Sequence, residues 1–316
     1  MSDADPVGDV CSTTTGALVQ FGGQNVGDLL NVRGVTWGFF EGGFNLQTKN
    51  PNGTTGCKRS HTSTITNSAK ADYIPHHQPF QYYKSTWNPQ HLRPSSTRMI
   101  GQTDQANHHY DTDDFFAAVN AGAIPAVSFL KAPGYQDAHA GYSDPLDEQT
   151  FVVQVINFLQ TRPEWKSTAV VIAYDDSDGW YDHQMSPIVN QSQTAMDALT
   201  APGQCGSSAN TALAGVNADH VQGRCGYGPR LPLLVISPYA KSNCVDHTIT
   251  DQSSITRFIE DNWLGSQRID GSFDAIAGTL NGMFDFSKKA PNGGLYLLDP
   301  STGLVTVDQD GGHGSW

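Results

Sequence analysis

The order in which two hydrophobic periodicities follow one another constrains this chain most: apolar runs of strand length alternate with segments whose apolar residues recur at helical spacing. Residues 26–32 read as a short helix ending at Gly34, a residue suited to a left-handed C-terminal cap, and 35–40 follow as a strand. Residues 113–121 read as a helix stopped at Gly122, and 124–130 as a buried strand. Asp144-Pro145 then supplies an N-cap and a proline at the first helical position. Asp147 and Glu148 complement the helix dipole there, and Phe151, Val152, Val155, Ile156 and Leu159 mark the buried stripe. Residues 168–173 and 231–236 are continuous apolar runs of the kind central parallel strands show, and 251–263 carry Ile255, Phe258, Ile259 and Trp263 on one helical side. This alternation predicts an α/β fold, a mostly parallel sheet with helices on both faces, whose active site lies at the carboxyl ends of the strands. A polar stretch at about 49–103, rich in Pro, Asn, Ser, Thr and His, shows neither period and reads as long ordered loops inserted in a single domain spanning 1–316.

Charge and cysteine usage narrow the function classes. Eighteen basic against 31 acidic residues give a net charge of -13, which repels nucleic acid and anionic membrane surfaces, and no basic run reverses it. No stretch approaches the roughly 20 continuous apolar residues of a membrane span, and the opening residues lack the basic and apolar regions of an export signal. Five cysteines, at 11, 57, 205, 225 and 244, match no metal-site or redox spacing. They read as two disulfides and one spare thiol, with Cys205 and Cys225 bracketing a Gly/Ser/Asn-rich loop; five reduced thiols in a cytosolic enzyme are the alternative. A monomer is expected.

Chemistry concentrates where the run 168–173 ends. Asp175, Asp176, Asp178, Asp182 and His183 fall within ten residues, a like-charge crowding that a divalent cation at Asp175 and Asp176 would offset; a solvated acidic turn is the bland alternative. An EF-hand loop is excluded: with Gly179 as its sixth position, its first and twelfth would be Tyr174 and Met185, neither of them a carboxylate. Upstream lie the doublets His76-His77 and His108-His109, and His139, which sits between a strand and the N-terminus of the helix after Asp144. A histidine there donates to an anionic oxygen that the helix dipole also favours. Carboxylate metal ligands with imidazole donors describe a phosphoryl site.

The runs HHQPFQYY (76–83), IGQTDQANHHYD (100–111), PAVSFLKAPGYQDAHAGYSDPLDEQ (125–149), AVVIAYDDSDGWYDH (169–183), RLPLLVISPYAK (230–241) and VDHTITDQSSITRFIEDNW (245–263), in this order and spacing, resemble the bacterial phospholipase C and acid phosphatase family of phosphoesterases. The resemblance covers nearly the whole chain and implies an alkaline-phosphatase-like fold. It places Asp175 and Asp176 on one divalent metal ion of unknown identity, and His77 and His139 on the phosphoryl group. His76, Asp178 and His183 are assigned to orientation and supporting hydrogen bonds.

The same family carries a Glu-Asn pair of metal ligands in a motif like ENxSFDxxFG and a downstream Ser or Thr nucleophile, and neither is found here. The expectation is therefore a chain that is N-terminally incomplete, inactive when expressed alone, and secreted or periplasmic in its full-length form. The implied substrate is a phospholipid diester, with phosphomonoesters as the alternative. An inactive metal- or phosphate-binding fragment is the reading from a different class, and an Asp-pair glycosidase is disfavoured because it leaves the histidines without purpose. Phe80, Tyr82, Tyr83 and Trp87 either cage a choline headgroup or pack the core of the loops.

Overall fold

In the computed structural model the described residues are 3–177, 182–184, 228–287 and 294–308. They form a mixed α/β structure in two compact units, one of residues 1–163 and 294–316, the other of residues 164–293. In the first unit, β1 (Asp5–Pro6) and β2 (Leu18–Val19) are short parallel partners that lead into α1 (Val26–Arg33). Asn25 and Asp28 close a reciprocal capping box at the start of α1, and Gly34, at φ 65°, takes the left-handed conformation that ends it.

β3 (Trp37–Glu41) is buried along its whole length. It lies between β6 (His109–Tyr110) and β7 (Val127–Lys131), parallel to both, in the order β6-β3-β7. Register pairs Phe39 with His109 and with Phe129, and Glu41 with Lys131. Residues alternate across the sheet. Phe40 stacks on Tyr110 and meets Phe115 of α2 (Thr112–Asn120) on one face. On the other, Trp37 lies against Gly27 of α1, where a Cβ would come within 2.4 Å of the indole, and Phe80 fills the space over Trp37, Phe39 and Phe129. Helices thus cover both faces of the parallel sheet, as the alternation predicts.

The stretch 49–103 contains one element that its polarity conceals, an antiparallel hairpin of β4 (Ser60–Thr62) and β5 (Ala69–Ala71) with His61 opposite Lys70. The rest is turns and single 3₁₀ turns held by side chains. Arg59 bridges Asp72 at 2.8 Å and Asp111 at 2.9 Å, all three side chains at most 6% exposed. Asp111 also caps α2 and accepts from the Asn45 amide, so one buried network ties hairpin, helix and the turn after β3 together. At that turn Gly43, at φ 90°, brings the chain so near the Asp72–Tyr73 backbone that a Cβ would lie 2.3 Å from the Tyr73 nitrogen.

Cys11 and Cys57 form a disulfide across 46 residues of sequence, and Cys244 is a free, exposed thiol. Cys205 and Cys225 lie outside the described residues. A cross-link of this span removes about 4 kcal/mol of chain entropy from the unfolded state. Replacing Cys57 by Ser is accordingly expected to lower unfolding free energy by ~2–4 kcal/mol in a urea titration, with an unchanged midpoint contradicting it.

α3 (Pro145–Gln160) begins at Asp144 as read, and packs beside the antiparallel pair β10 (Tyr296–Leu298) and β11 (Val305–Asp308) through Asn157 and Gln160. In the second unit the structure corrects an expectation. β8 (Val170–Ala173) and β9 (Leu233–Ile236) are not central strands of the parallel sheet but antiparallel partners of each other, Val170 opposite Ile236, and they are only half-buried. A continuous apolar run marks a strand without fixing the direction of its neighbour. α4 (Ser253–Trp263) follows, with Ile259 and Glu260 buried.

Candidate active site

The carboxyl end of β7 opens into a loop, residues 131–144, that carries His139. Ala138 stands at φ 64°, a left-handed conformation that costs a residue with a Cβ roughly 1–2 kcal/mol. The loop's own bonds hold it there: Ser143 Oγ accepts from the Ala138 amide and donates to the Tyr135 carbonyl, and the Tyr142 and Ser143 amides donate to the His139 carbonyl. His139 is exposed and stacks on Tyr142 at 4.3 Å between ring centroids. Its Nδ1 accepts from the Gly141 amide at 3.0 Å, so in the neutral ring the proton sits on Nε2.

Asp137 is the centre of this arrangement. Its side chain is 1% exposed; Oδ2 accepts 2.7 Å from the Tyr142 hydroxyl, Oδ1 accepts 3.1 Å from the His139 amide, and His77 Nδ1 stands 3.7 Å from Oδ2. Burial pushes the carboxyl above its ordinary range, against the opposing pull of those two donors. His77 closes a 3₁₀ turn, Pro75–His77, whose entry is pinned by Glu41 Oε1 accepting from the Ile74 amide. Glu41 itself is buried at the carboxyl end of β3, with Oε2 lacking a partner, and burial raises it far above the usual carboxylate range. His77 and His139, both read from the sequence, are therefore brought together, and the group that gathers them, Asp137, was not singled out. An aspartate two residues before a candidate histidine, in a loop leaving a parallel strand, was the available signal.

The supporting role read for His76 goes elsewhere: its Nδ1 faces Asp5 at 3.2 Å, and its ring meets that of His77 edge-on. The helix terminus beside His139 is not open to a substrate anion either. Asp144 Oδ1 accepts from the Leu146 amide, and the Asp147 and Glu148 amides donate to the Asp144 carbonyl. That correction follows from the capping the sequence itself announced.

In the second unit Asp175 and Asp176 leave β8 on an exposed turn. Gln252 Nε2 donates to the Tyr174 and Asp175 carbonyls, at 2.8 and 2.6 Å, so the turn is held through its backbone. Two adjacent exposed carboxylates are hard-oxygen donors and fit a divalent cation that completes its shell with water or other oxygens. Asp178 lies outside the described residues. His183 is 95% exposed and sits 3.7 Å from Asp182, which is bound 2.8 Å from Arg230.

Among the described residues, Asp9, Cys11 and His91 offer ligand atoms within 4.8 Å of one another. They do not suit a metal. Cys11 is in the disulfide, and Asp9 is saturated by Tyr73, Gln81, His91 and the Cys11 amide. Burial alone would raise Asp9; His91 and the other donors hold it below its ordinary value. The second histidine doublet is structural. His108 stacks on Trp37, and His109, wholly buried, bonds the Thr86 carbonyl at 2.6 Å and is pushed down to about 3 by burial, which keeps it neutral. The aromatic quartet forms no cage: Phe80 and Tyr82 are buried, Phe80 in the sheet core and Tyr82 bonded to the Ala4 carbonyl, while Trp87 packs on Gly8.

Residues 3–264 match the Phosphoesterase family. The chain is 31% identical over 199 residues to the non-hemolytic phospholipase C of Burkholderia pseudomallei, covering 61% of this chain and 27% of that protein. It is 29% identical over 189 residues to the non-hemolytic phospholipase C of Pseudomonas aeruginosa, covering 58% and 26%. Over 175 residues it is 26% identical to phospholipase C A of Mycobacterium tuberculosis, covering 55% and 32%. The matched part thus spans about a quarter to a third of the length of these relatives.

Proposed function

The chain belongs to the phosphoesterase family, and from that premise we propose that it acts as a metal-dependent hydrolase of phospholipase C type, cleaving the phosphodiester of phosphatidylcholine-like lipids in an alkaline-phosphatase-like fold. The single observation that carries the reading is that His77 meets, at Asp137, the loop that carries His139 beyond the carboxyl end of β7.

Each residue contributes a defined act. Asp137 faces the Nδ1 edge of His77 at 3.7 Å and so orients a ring whose part in the reaction is to bind a phosphoryl oxygen. His139, with Nδ1 occupied by the Gly141 amide, presents Nε2–H as a donor to a second oxygen. Tyr142 stacks on that ring and bonds Asp137, which fixes both histidines relative to one carboxylate. Asp175 and Asp176 are the ligands for a divalent ion. When bound, such an ion would supply positive charge against developing negative charge and would lower the pKa of a hydroxyl. The described residues contain no helix long and apolar enough to cross a membrane, and a disulfide between Cys11 and Cys57 suits an oxidising compartment, which supports a secreted or periplasmic enzyme.

The test is hydrolysis of a chromogenic phosphocholine diester and of the matching monoester by the purified protein, with and without chelator. The expected result is diester cleavage that chelation abolishes and added divalent metal restores. Preference for the monoester would move the substrate to the acid phosphatase class. Absence of activity on both esters would remove the hydrolase reading.

A further inference from the structure

The β4–β5 hairpin carries a second histidine–aspartate pair. His61 Nδ1 lies 2.6 Å from Asp72 Oδ1, and the Asp72 side chain is fully buried. The other Asp72 oxygen accepts from Arg59 Nε at 2.8 Å and from Asn50 Nδ2 at 3.0 Å, so the carboxylate is already compensated and fixed before the imidazole is counted. The Asp72 carboxylate can only accept, so Nδ1 gives its proton to it, and Asn50 Nδ2, 3.2 Å from the same nitrogen, donates instead to Asp72 Oδ2. The ring stacks on Tyr135 at 4.7 Å, its side chain is 39% exposed, and Nε2 has no partner among the described residues. A histidine serving only to neutralise Asp72 would duplicate Arg59 and would not need to hold its far nitrogen at the surface.

The hairpin also lies along the loop of the candidate site. Tyr135 is two residues from Asp137. Lys70, the cross-strand partner of His61, stands 5.7 Å over the ring of Tyr142, whose hydroxyl bonds Asp137. The groups facing His61 are thus Asp72 with Arg59 behind it, Lys70 across the strand pair, and Tyr135, whose hydroxyl burial raises to about 12 and which stays neutral.

We propose that His61 is the general acid that protonates the leaving alcohol of the phosphate ester, with Asp72 as its positioning residue; this rests on the phosphoesterase reading above. As the bond from phosphorus to the ester oxygen breaks, its electron pair stays on that oxygen and the proton on His61 Nε2 moves to it, releasing the alcohol. The imidazole, still donating Nδ1–H to Asp72, is left neutral and regains a proton from the water that completes hydrolysis, so that ester and water become alcohol and phosphate.

His61→Asn separates this role from a structural one, because the asparagine amide reproduces the Nδ1–H donor to Asp72 and has nothing in place of Nε2. The complete reading frame that encodes this chain is assayed on two phosphocholine diesters, one with an alkyl alcohol as leaving group and one with p-nitrophenol, which departs without protonation. The expected result is a fall in kcat of about 100-fold on the alkyl ester and under about 3-fold on the p-nitrophenyl ester, with loss of the alkaline limb of the alkyl-ester pH profile. His61→Gln, with its amide near the Nε2 position, is expected to show the same split and serves if the first variant folds poorly. Equal losses on both esters would reduce His61 to a structural residue, and no loss on either would remove it from the site. If the wild-type enzyme cleaves neither ester, the phosphoesterase reading fails and this assignment falls with it.

Discussion

Asp176→Asn is expected to cut turnover of a phosphate ester by about 10³-fold or more and to weaken the dependence on divalent metal, while leaving the thermal unfolding midpoint unchanged. The magnitude follows from the role: a metal ion at a transferring phosphoryl group supplies several kcal/mol of charge stabilisation, and about 4 kcal/mol is a thousandfold in rate. Asparagine keeps the shape of the side chain and removes the charge that holds a hard cation. The control is structural. The turn that carries Asp175 and Asp176 is fastened by Gln252 to two backbone carbonyls, so neutralising one carboxylate does not release it. His183→Ala is the internal comparison, since a ring 95% exposed beside Asp182 should change turnover by less than about 3-fold, within the range of a weak surface ion pair. Metal titrations of residual activity read the affinity directly. If Asp175→Asn and Asp176→Asn both retain wild-type turnover and metal dependence, these aspartates form an ordinary solvated turn and the cation is held elsewhere.

How much of this was legible in the sequence depends on the range of the interaction that fixed each feature. Helix ends were readable because caps are local: Asp144-Pro145 opened α3, Gly34 closed α1, and Gly122, at φ 65°, follows α2. The strands of the parallel sheet were located by their apolar runs, but the antiparallel pairing of β8 with β9 joins segments about 60 residues apart, and an apolar run carries no record of its partner's direction. The β4–β5 hairpin went unread for the opposite reason. Three-residue strands with Ser, His, Thr and Lys give no alternation to detect, and what stabilises them, Arg59 against Asp72 and Asp111, spans 13 and 52 residues of sequence. The site shows the same division. His77 and His139 stood out through family-like motifs, whereas Asp137, His61 and Asp72 acquire meaning only from contacts across the fold. The candidate cation cage illustrates the reverse error: Phe80 proved to pack on Trp37 and Phe39, Tyr82 to bond the Ala4 carbonyl and Trp87 to lie on Gly8.

His77→Ala is expected to lower kcat by about 10²–10³-fold with a smaller change in KM, the cost of removing one donor aimed at charge that develops in the transition state. Asp137→Asn should cost less, about 10–100-fold, because it acts through the histidine and because the asparagine carbonyl still accepts from Tyr142. The two substitutions test the geometry better together than singly. If Asp137 works by turning His77, its replacement should matter little once that ring is gone, so the double variant should resemble His77→Ala alone, and the free energies should fail to add. Additive losses would mean that the carboxylate and the ring, 3.7 Å apart, serve separate purposes. His139→Ala offers the contrasting case. Its ring is held by Gly141 and Tyr142, and its backbone amide donates to Asp137, an interaction that alanine preserves. Its effect on kcat should therefore add to that of Asp137→Asn, and non-additivity there would show that the loop, not the individual donors, is what both substitutions disturb.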